Sequence, residues 1–232
     1  MYDDLGRSVV LKKVSELRSA AGNVMSHQVN WNPLSWEREG LKRFNPQISK
    51  FAAECRQVGN QCVISRQDVL TVSESVEDVF IGAMIFGYGP IGYGPSRVER
   101  IVHINHDLIV KLNRQYKAAV GGPGESWVSH TQDDPVIYLG PAFATKFAYF
   151  AARKQQSDRT VPLIADINTS WAMWRIAGIP RSVELYDGYM AYVDLAHTWG
   201  AEIDDDYGAD EIERALFTLG QGLNNLIEIH DY

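Results

Sequence analysis

Lys146 and Asp166 are the two side chains whose types and spacing could support chemistry in this chain. An amine attacks an electron-poor carbon when it is partly neutral, and a carboxylate stabilises a positive charge that forms beside it. Phe143, Phe147 and Phe150 recur around the lysine at helical spacing, and burial among such rings favours the neutral form of an amine. The alternative is that Lys146 is a helix lysine that faces solvent. Which of the two holds depends on the secondary-structure elements that position Lys146 and Asp166.

The segment around Lys146 predicts a helical hairpin over residues 134–154. Asp134-Pro135 is typical of a helix N-cap followed by proline at the first helical position, and Gly140-Pro141 ends that short helix. Residues 142–154 then carry apolar side chains on one helical face. The lysine is therefore expected in the first turn of the second helix.

Asp166 stands just ahead of a third predicted helix, Trp171 to Ala177. Asn168 or Thr169 can cap this helix at its start, and Gly178 can end it. The carboxylate is therefore expected near a helix N-terminus, twenty positions after the lysine.

This arrangement resembles the helix-hairpin-helix DNA glycosylases, and within them the 8-oxoguanine DNA glycosylase branch. Their hairpin reads Leu-Pro-Gly-Val-Gly-x-Lys and is followed, at about this spacing, by Val-Pro-Val-Asp-Val-His-x-Trp. Residues 141–146 lie over the first motif from its proline to its lysine. Val161-Pro162, Asp166 and Trp171 lie loosely over the second. The resemblance implies that Lys146 is the nucleophile on the sugar C1′ and that Asp166 orients and stabilises the reacting sugar.

The chain departs from the family motifs at three places. Both hairpin glycines are alanine, the histidine two positions after the aspartate is Asn168, and the spacing from proline to aspartate is two residues longer. The resemblance implies DNA contacts along the hairpin, at Pro141, Ala142, Ala144 and Thr145. Because glycine lets a backbone approach a phosphate closely, the two alanines favour an alternative in which the hairpin binds without catalysis.

A glycosylase must take its target base out of the DNA stack, which requires an aromatic or apolar pocket. The candidate pocket residues are Trp31, Trp36, Tyr88, Tyr93, Trp171 and Trp174. For Trp31 and Trp36 the alternative is aromatic packing under a loop.

Residues 87–97 contain a doubled Tyr-Gly-Pro, at 88–90 and 93–95. The glycines also spell GxGxxG, but the preceding segment has a helical pattern and the prolines prevent the long helix that a dinucleotide site requires. The segment resembles a Gly-Tyr-Gly-Pro-rich stretch of bacterial proteins with the oxoguanine-glycosylase fold, some of them linked to anti-phage defence. Such a loop suits a sugar-phosphate backbone or a stacked base, and Arg97 and Arg100 follow it as predicted DNA contacts. A purely structural turn is the alternative.

The net charge of −7 is unevenly distributed along the chain. Residues 1–183 hold 21 Lys and Arg against 17 Asp and Glu, whereas residues 184–232 hold one basic residue, Arg214, against 12 acidic ones. Because DNA binding depends on the local field more than on the total charge, we expect the body of the protein to contact DNA. Further candidate cations in the body are Lys111, Arg153 and Arg175. The acidic C-terminal portion is a predicted docking surface for a protein partner.

The predicted fold class is all-α, a helix-hairpin-helix glycosylase-like domain with a cleft. At 232 residues we expect a single unit, with sub-lobes at residues 1–120 and 121–232 as the suggested subdivision. One helix is predicted from Asn45 to about Val58 and another from Val98 to about Ala118. A short helix is predicted to start near Ser65, where Asp68 three positions later completes a capping box. Strand signals are nearly lacking apart from residues 61–64.

The chain has no apolar run of 18 residues and no export signal, so a cytoplasmic protein that does not enter the membrane is expected. Cys55 and Cys62 could pair, but reduced thiols are the expected state in such a protein. No metal or other cofactor is predicted. His103, His106 and Asp107 lack a further cluster of ligands and are expected to form a solvated face.

The leading hypothesis is a DNA glycosylase, with or without lyase activity, that acts on a damaged or modified base. A bacterial defence role against modified phage DNA is consistent with the resemblance. Two alternatives stay open: a non-catalytic helix-hairpin-helix module that docks a partner in a defence system, and a glycosylase-fold enzyme that acts on free nucleosides or nucleotides. The enzyme hypothesis predicts that Lys146 and Asp166 face one cleft, roughly 4–8 Å apart.

Overall fold

The computed structural model describes residues 2–59, 61–155, 160–179, 185–203 and 206–228. Helices dominate these residues and the sheet is small, so the predicted all-α fold class is confirmed. None of the described helices is long and apolar enough to cross a membrane. The elements, in chain order, are α1 (Tyr2–Ala21), β1 (Gln28–Trp31), α2 (Asn45–Glu54), β2 (Arg56–Val58), β3 (Gln61–Ser65), α3 (Arg66–Val72), α4 (Val76–Tyr88), α5 (Gly94–Ile104), α6 (Leu108–Gly121), α7 (Pro123–Val128), α8 (Pro141–Lys154), α9 (Ile167–Ala177), α10 (Tyr186–Gly200) and α11 (Gly208–Glu228).

The chain divides into two compact units. The hairpin unit is Met25–Pro162, and the terminal unit combines Met1–Val24 with Leu163–Tyr232. These bounds differ from the suggested sub-lobes at 1–120 and 121–232, because α1 packs against α9 and α11 at the other end of the sequence.

α4 is the buried centre of the hairpin unit and packs against α6 and α8. Its apolar residues cover every side of the helix, which is typical of a helix inside a core. A capping box opens it, since Ser75 and Asp78 each accept a hydrogen bond from the other's backbone N–H, at 3.1 Å in both directions. The same device, predicted from the sequence at Ser65 and Asp68, is confirmed at the start of α3.

A small antiparallel sheet in the order β1-β3-β2 belongs to the same unit. Trp31 of β1 lies opposite Cys62 of β3. The prediction that α2 continues to Val58 is wrong, because the chain leaves the helix after Glu54 and pairs as β2 with β3. The expectation of two reduced thiols is also wrong, since Cys55, directly before β2, forms a disulfide with Cys62 of β3.

The single helix predicted from Val98 to about Ala118 is two helices, α5 and α6, which separate at Asn105. The side-chain amide of Asn105 donates to the carbonyl of Ile137 at 3.1 Å and accepts from the Ile137 N–H at 2.9 Å. Asparagine side chains that bond to the backbone compete with helix continuation. The partner lies 32 positions away, so the local helical pattern did not reveal the break.

The first helix of the hairpin is α7, continued by a π-helical turn (Ser129–Asp133), and the second is α8. The short helix predicted to begin at Asp134 is wrong, because residues 134–140 form a loop before α8. Instead of capping a helix, the Asp134 carboxylate pairs with Arg114 at 2.5 Å and with Lys111 at 3.3 Å. We call residues 134–140 the hairpin loop.

The terminal unit is built from α1, α9, α10 and α11, with α9 and α11 in close contact. A Cβ placed on Gly220 of α11 would lie 1.9 Å from the carbonyl oxygen of Asn168 on α9, so only glycine permits this approach. Gly178 ends α9 with a φ of 68°, which confirms the predicted left-handed cap.

Three acidic residues at the start of α11, Asp210, Glu211 and Glu213, are buried inside the terminal unit. The Glu211 carboxylate accepts hydrogen bonds from the Val24 N–H at 2.8 Å and from Arg18 at 3.2 Å, which ties the end of α1 to α11. These three acids are therefore not available to a docking partner, contrary to the expectation for the acidic C-terminal portion. Exposed acids in the described part of that portion are Asp187, Asp194, Glu202 and Asp206.

Candidate active site

Lys146 lies in the second turn of α8, and only 8% of its surface is exposed. Its Nζ donates to the carbonyl of Ala142 at 3.2 Å and lies 5.4 Å from the centre of the Phe143 ring. The solvent-facing alternative is therefore excluded. Lysine is almost never buried without a partner or a function, which makes this amine the strongest candidate for chemistry in the hairpin unit.

The side chain of Lys146 crosses α4 at Gly87. A Cβ on that glycine would lie 2.9 Å from Cδ of Lys146 and 2.7 Å from the Phe143 ring. The same ring stacks on Tyr88, with 4.1 Å between the ring centroids. Gly87 is not among the candidate site residues predicted from the sequence, although a glycine inside an apolar helix is a signal of close packing.

Asp166 is the N-cap of α9, which begins at Ile167. Its Oδ1 accepts from the N–H of Asn168 at 3.0 Å and of Thr169 at 3.2 Å. The prediction that Asn168 or Thr169 is the cap is therefore wrong by two or three positions. Because two backbone donors hold the carboxylate, its position is fixed by the helix itself.

The segment that leads into Asp166 is fastened by α10. Tyr189 donates its hydroxyl to the carbonyl of Leu163 at 3.2 Å, and Tyr192 donates to the carbonyl of Ile164 at 2.9 Å. Both tyrosines are fully buried, and burial raises the pKa of Tyr189, so its hydroxyl remains a donor at neutral pH. The carboxylate is therefore presented by a rigid part of the terminal unit.

Two candidate pocket tyrosines lie beside the lysine on the hairpin unit. Tyr88 is buried, and its ring meets the Tyr93 ring edge-on at 6.4 Å. Tyr93 is 53% exposed, and the Arg97 guanidinium lies 4.6 Å from its ring centre. Burial raises the pKa of Tyr88, and Arg97 opposes that shift. Of the two tyrosines, Tyr93 is therefore the one whose ring is exposed.

The candidate pocket residues of the terminal unit lie on α9. Trp171 and Trp174 have ring centroids 5.3 Å apart, and Trp174 is exposed. The Arg175 guanidinium lies 4.4 Å from the Trp174 ring centre. Helix α9 therefore carries a fixed carboxylate, an exposed aromatic ring and a cation.

Residues 22–217 match the sequence family described as "Putative 8-oxoguanine DNA glycosylase OGG-like protein". The chain belongs to this family. The match includes Lys146 and Asp166 and confirms the resemblance to 8-oxoguanine DNA glycosylases that the two motifs indicate. No curated protein and no solved structure gives a significant match. Membership of the OGG-like family assigns the chain a function related to DNA glycosylases.

Trp31 and Trp36, which were predicted to stack on an extruded base, lie in the core of this OGG-like protein. Trp31 and Trp36 are fully buried and pack edge-on with 6.3 Å between ring centroids. Because the protein covers the faces of both rings, neither can stack on a base, and the alternative of aromatic packing is the correct one. Sheet pairing of Trp31 with Cys62 places it inside.

The predicted DNA contacts along the hairpin divide by burial. Ala144 and Thr145 are buried, and the Thr145 hydroxyl donates to the carbonyl of Ala142 at 3.3 Å, so neither side chain is presented to DNA. Pro141 is exposed and Ala142 is half-buried. The alanine that replaces the second family glycine is therefore a packing residue here.

The predicted cations also divide. Arg97, Arg100 and Arg175 are exposed. Lys111 pairs with Asp134 at 3.3 Å and donates to the carbonyl of Pro135 at 3.1 Å, so it fastens the hairpin loop. His103, His106 and Asp107 are exposed, and no cluster of three metal-ligating side chains occurs among the residues that the structure describes.

The structure brings the candidate residues together in two groups. In the hairpin unit Lys146, Phe143, Gly87, Tyr88, Tyr93 and Arg97 form one chain of contacts. In the terminal unit the group consists of Asp166, which caps α9, and of three residues on that helix, Trp171, Trp174 and Arg175. That Lys146 and Asp166 share one cleft stays a prediction.

Proposed function

We propose that this OGG-like protein is a DNA glycosylase that removes a damaged or modified base from an extruded nucleotide. Lys146 is the nucleophile and Asp166 is the carboxylate that stabilises the reacting sugar. The observation that carries the proposal is the buried lysine of α8, held against Gly87 and Phe143 in a chain of this family.

The proposed reaction begins at C1′ of the deoxyribose. The lone pair of the Lys146 amine forms a bond to C1′ while the N-glycosidic bond breaks, and its electron pair leaves with the base, which takes up a proton. The sugar carries positive charge in the transition state, and a fixed carboxylate lowers the energy of such a charge. Loss of a proton from the attached nitrogen and opening of the sugar ring then give an imine. In the lyase step, loss of a C2′ proton from that imine forms a C2′–C3′ double bond and the 3′ phosphate leaves with the electron pair of its bond to C3′.

The proposed DNA contacts come from exposed groups of each unit. Tyr93 and Trp174 offer rings to a base that has left the stack. Arg97, Arg100 and Arg175 offer cations to phosphates. A defence role against modified phage DNA belongs to the same proposal, since it requires only that the pocket accept a modified base.

A release assay tests the proposal. The purified protein is incubated with duplexes that contain 8-oxoguanine, other modified bases or no modification, and with the free nucleosides, and the released base is measured by mass spectrometry. We expect release from a modified duplex and none from the unmodified one. Binding of duplex without release of any base would support the non-catalytic module, and release from nucleosides alone would support the nucleoside enzyme.

Replacement of Gly87 by alanine is expected to slow base release about 100-fold, because small misplacements of a reacting group cost rates of this order. The new Cβ would displace Cδ of Lys146 and the Phe143 ring. The matched control is Gly92→Ala, whose Cβ would meet nothing within 4 Å and should leave the rate unchanged. The melting temperature should fall modestly, because the better helix propensity of alanine offsets only part of the clash. Equal rates for both variants would show that Gly87 does not position the amine.

A further inference from the structure

Tyr138 in the hairpin loop has a backbone conformation that side chains rarely adopt. Its φ is 68°, and it is the one non-glycine residue with positive φ in the described part of the chain. Its ring is 55% exposed. A bulky residue with positive φ is strained, and such strain persists only where the surroundings hold it. Glycine would adopt this conformation without strain. The presence of tyrosine instead therefore points to a role for its ring.

Neighbouring helices hold this ring in place. The Arg100 guanidinium lies 3.9 Å from the ring centre, and its Nη2 donates to the Tyr138 hydroxyl at 2.6 Å. The preceding residue, Ile137, is bonded through both its N–H and its carbonyl to Asn105. The exposed ring is therefore preorganised on the surface.

The cations beside the ring are not neutralised within the described part of the chain. Arg97 and Arg100, three positions apart on α5, make no ion pair there. The one acidic residue of α5, Glu99, pairs with Arg38 at 2.7 Å. Positions three apart on a helix are neighbours, so α5 presents two adjacent guanidinium groups that attract negative charge.

Each of these guanidinium groups lies on an exposed tyrosine ring, since Arg97 covers Tyr93 as Arg100 covers Tyr138. Flat rings next to unpaired cations match a nucleic-acid strand, which offers base faces for stacking and phosphates for charge. A protein surface also packs on tyrosine and arginine, but two adjacent guanidinium groups with no carboxylate partner in the described part of the chain favour the polyanion.

We propose that Tyr138 stacks on a nucleobase of the bound DNA and that Arg100 contacts a phosphate beside that base. The DNA partner rests on the proposed function. The hairpin loop thus contributes a base-stacking ring that the sequence motifs did not indicate. DNA with an unpaired base at this position is the preferred ligand, because stacking on a side chain requires that the base face be free.

The experiment measures binding to an uncleavable duplex that carries an abasic-site analogue next to 2-aminopurine. Tyr138→Asn removes the ring but tolerates the left-handed backbone, and we expect roughly 10-fold weaker binding or more. Tyr138→Phe keeps the ring, so its affinity should stay near wild type. Stacking on 2-aminopurine should quench its fluorescence for wild type and Tyr138→Phe only. Tyr186→Asn, at another exposed tyrosine, is the control.

Arg100→Gln tests the phosphate contact. Loss of one contact should reduce the slope of log K against log salt by roughly 0.9 for a duplex. Arg7→Gln, at a partly exposed arginine paired with Glu202, is the matched control and should leave the slope unchanged. An unchanged slope for Arg100→Gln would reject the phosphate assignment.

Each outcome has a defined meaning. The inference is overturned if a folded Tyr138→Asn protein binds DNA with wild-type affinity. It is also overturned if Tyr138→Phe weakens binding as much as Tyr138→Asn does, because the ring would then not be the binding element. Failure of wild type to bind any DNA overturns the inference together with the proposed function. Binding that depends on the ring, without release of any base, leaves the inference standing and rejects the glycosylase activity alone.

Discussion

Lys146→Gln is expected to abolish the covalent complex that borohydride traps between this protein and a cleavable DNA duplex. A nucleophilic amine forms an imine with C1′ once the base has left, and borohydride reduces that imine to a stable amine. Glutamine has no nucleophilic amine, yet its polar end can still reach toward the Ala142 carbonyl that Nζ contacts. A denaturing gel should show the trapped species for wild type and none for the variant.

Lys154→Gln is the matched control because it changes a lysine on the same helix. The Lys154 Nζ donates to the carbonyl of Leu70 at 3.1 Å, away from the Gly87 and Phe143 contacts. This variant should be trapped with the yield of wild type. Trapping of Lys146→Gln at the same yield would contradict the nucleophile assignment. Base release by wild type without trapping would mean that water attacks C1′ and that Lys146 only positions the sugar.

Asp166→Asn is expected to slow base release by two orders of magnitude or more. Fixed electrostatic groups are often worth ~3 kcal/mol at a transition state, which corresponds to roughly a 100-fold change in rate. The variant keeps the size of the side chain but removes the negative charge that stabilises the cationic sugar in the proposed reaction. DNA binding should stay intact or become slightly stronger, because a negative charge near phosphates is lost. Single-turnover kinetics and a binding titration measure the two effects separately.

The fold of this variant should be preserved, because asparagine caps helices as well as aspartate does. Its side-chain oxygen can accept from the N–H groups of Asn168 and Thr169 as Asp166 does. Asp166→Ala removes both charge and cap and should lower the free energy of unfolding by about 1 kcal/mol. If Lys146→Gln and Asp166→Asn both match wild type on a substrate that wild type processes, the assigned site is wrong.

The sequence by itself determined the features that depend on local chemistry. The capping box at Ser65 and Asp68 and the left-handed end of α9 at Gly178 are as predicted, because each depends on residues within five positions of one another. The all-α class follows from the apolar spacing of many such segments. The motifs around Lys146 and Asp166 also sufficed to indicate the OGG-like family. A motif is recognised from the identity and spacing of its residues, which the sequence contains without any tertiary structure.

Tertiary structure decided which elements break and which strands pair. The helix predicted across Asn105 divides because that side chain bonds to the hairpin loop 32 positions away. Residues 56–58 leave a predicted helix because β3 offers them a ladder of hydrogen bonds. Long-range hydrogen bonds of this kind override local propensity, and no window of neighbouring residues contains both partners.

Tertiary structure also decided which side chains face outward. By residue type, Trp31 and Tyr138 are equally plausible stacking residues, but sheet pairing buries the first and a strained loop exposes the second. The acid Glu211 is buried because the end of α1 supplies its hydrogen-bond donors. Gly87 belongs to the candidate site only because the side chain of Lys146, from another helix, crosses it. Burial depends on what the rest of the chain places against a residue, and for these residues that surface comes from distant parts of the sequence.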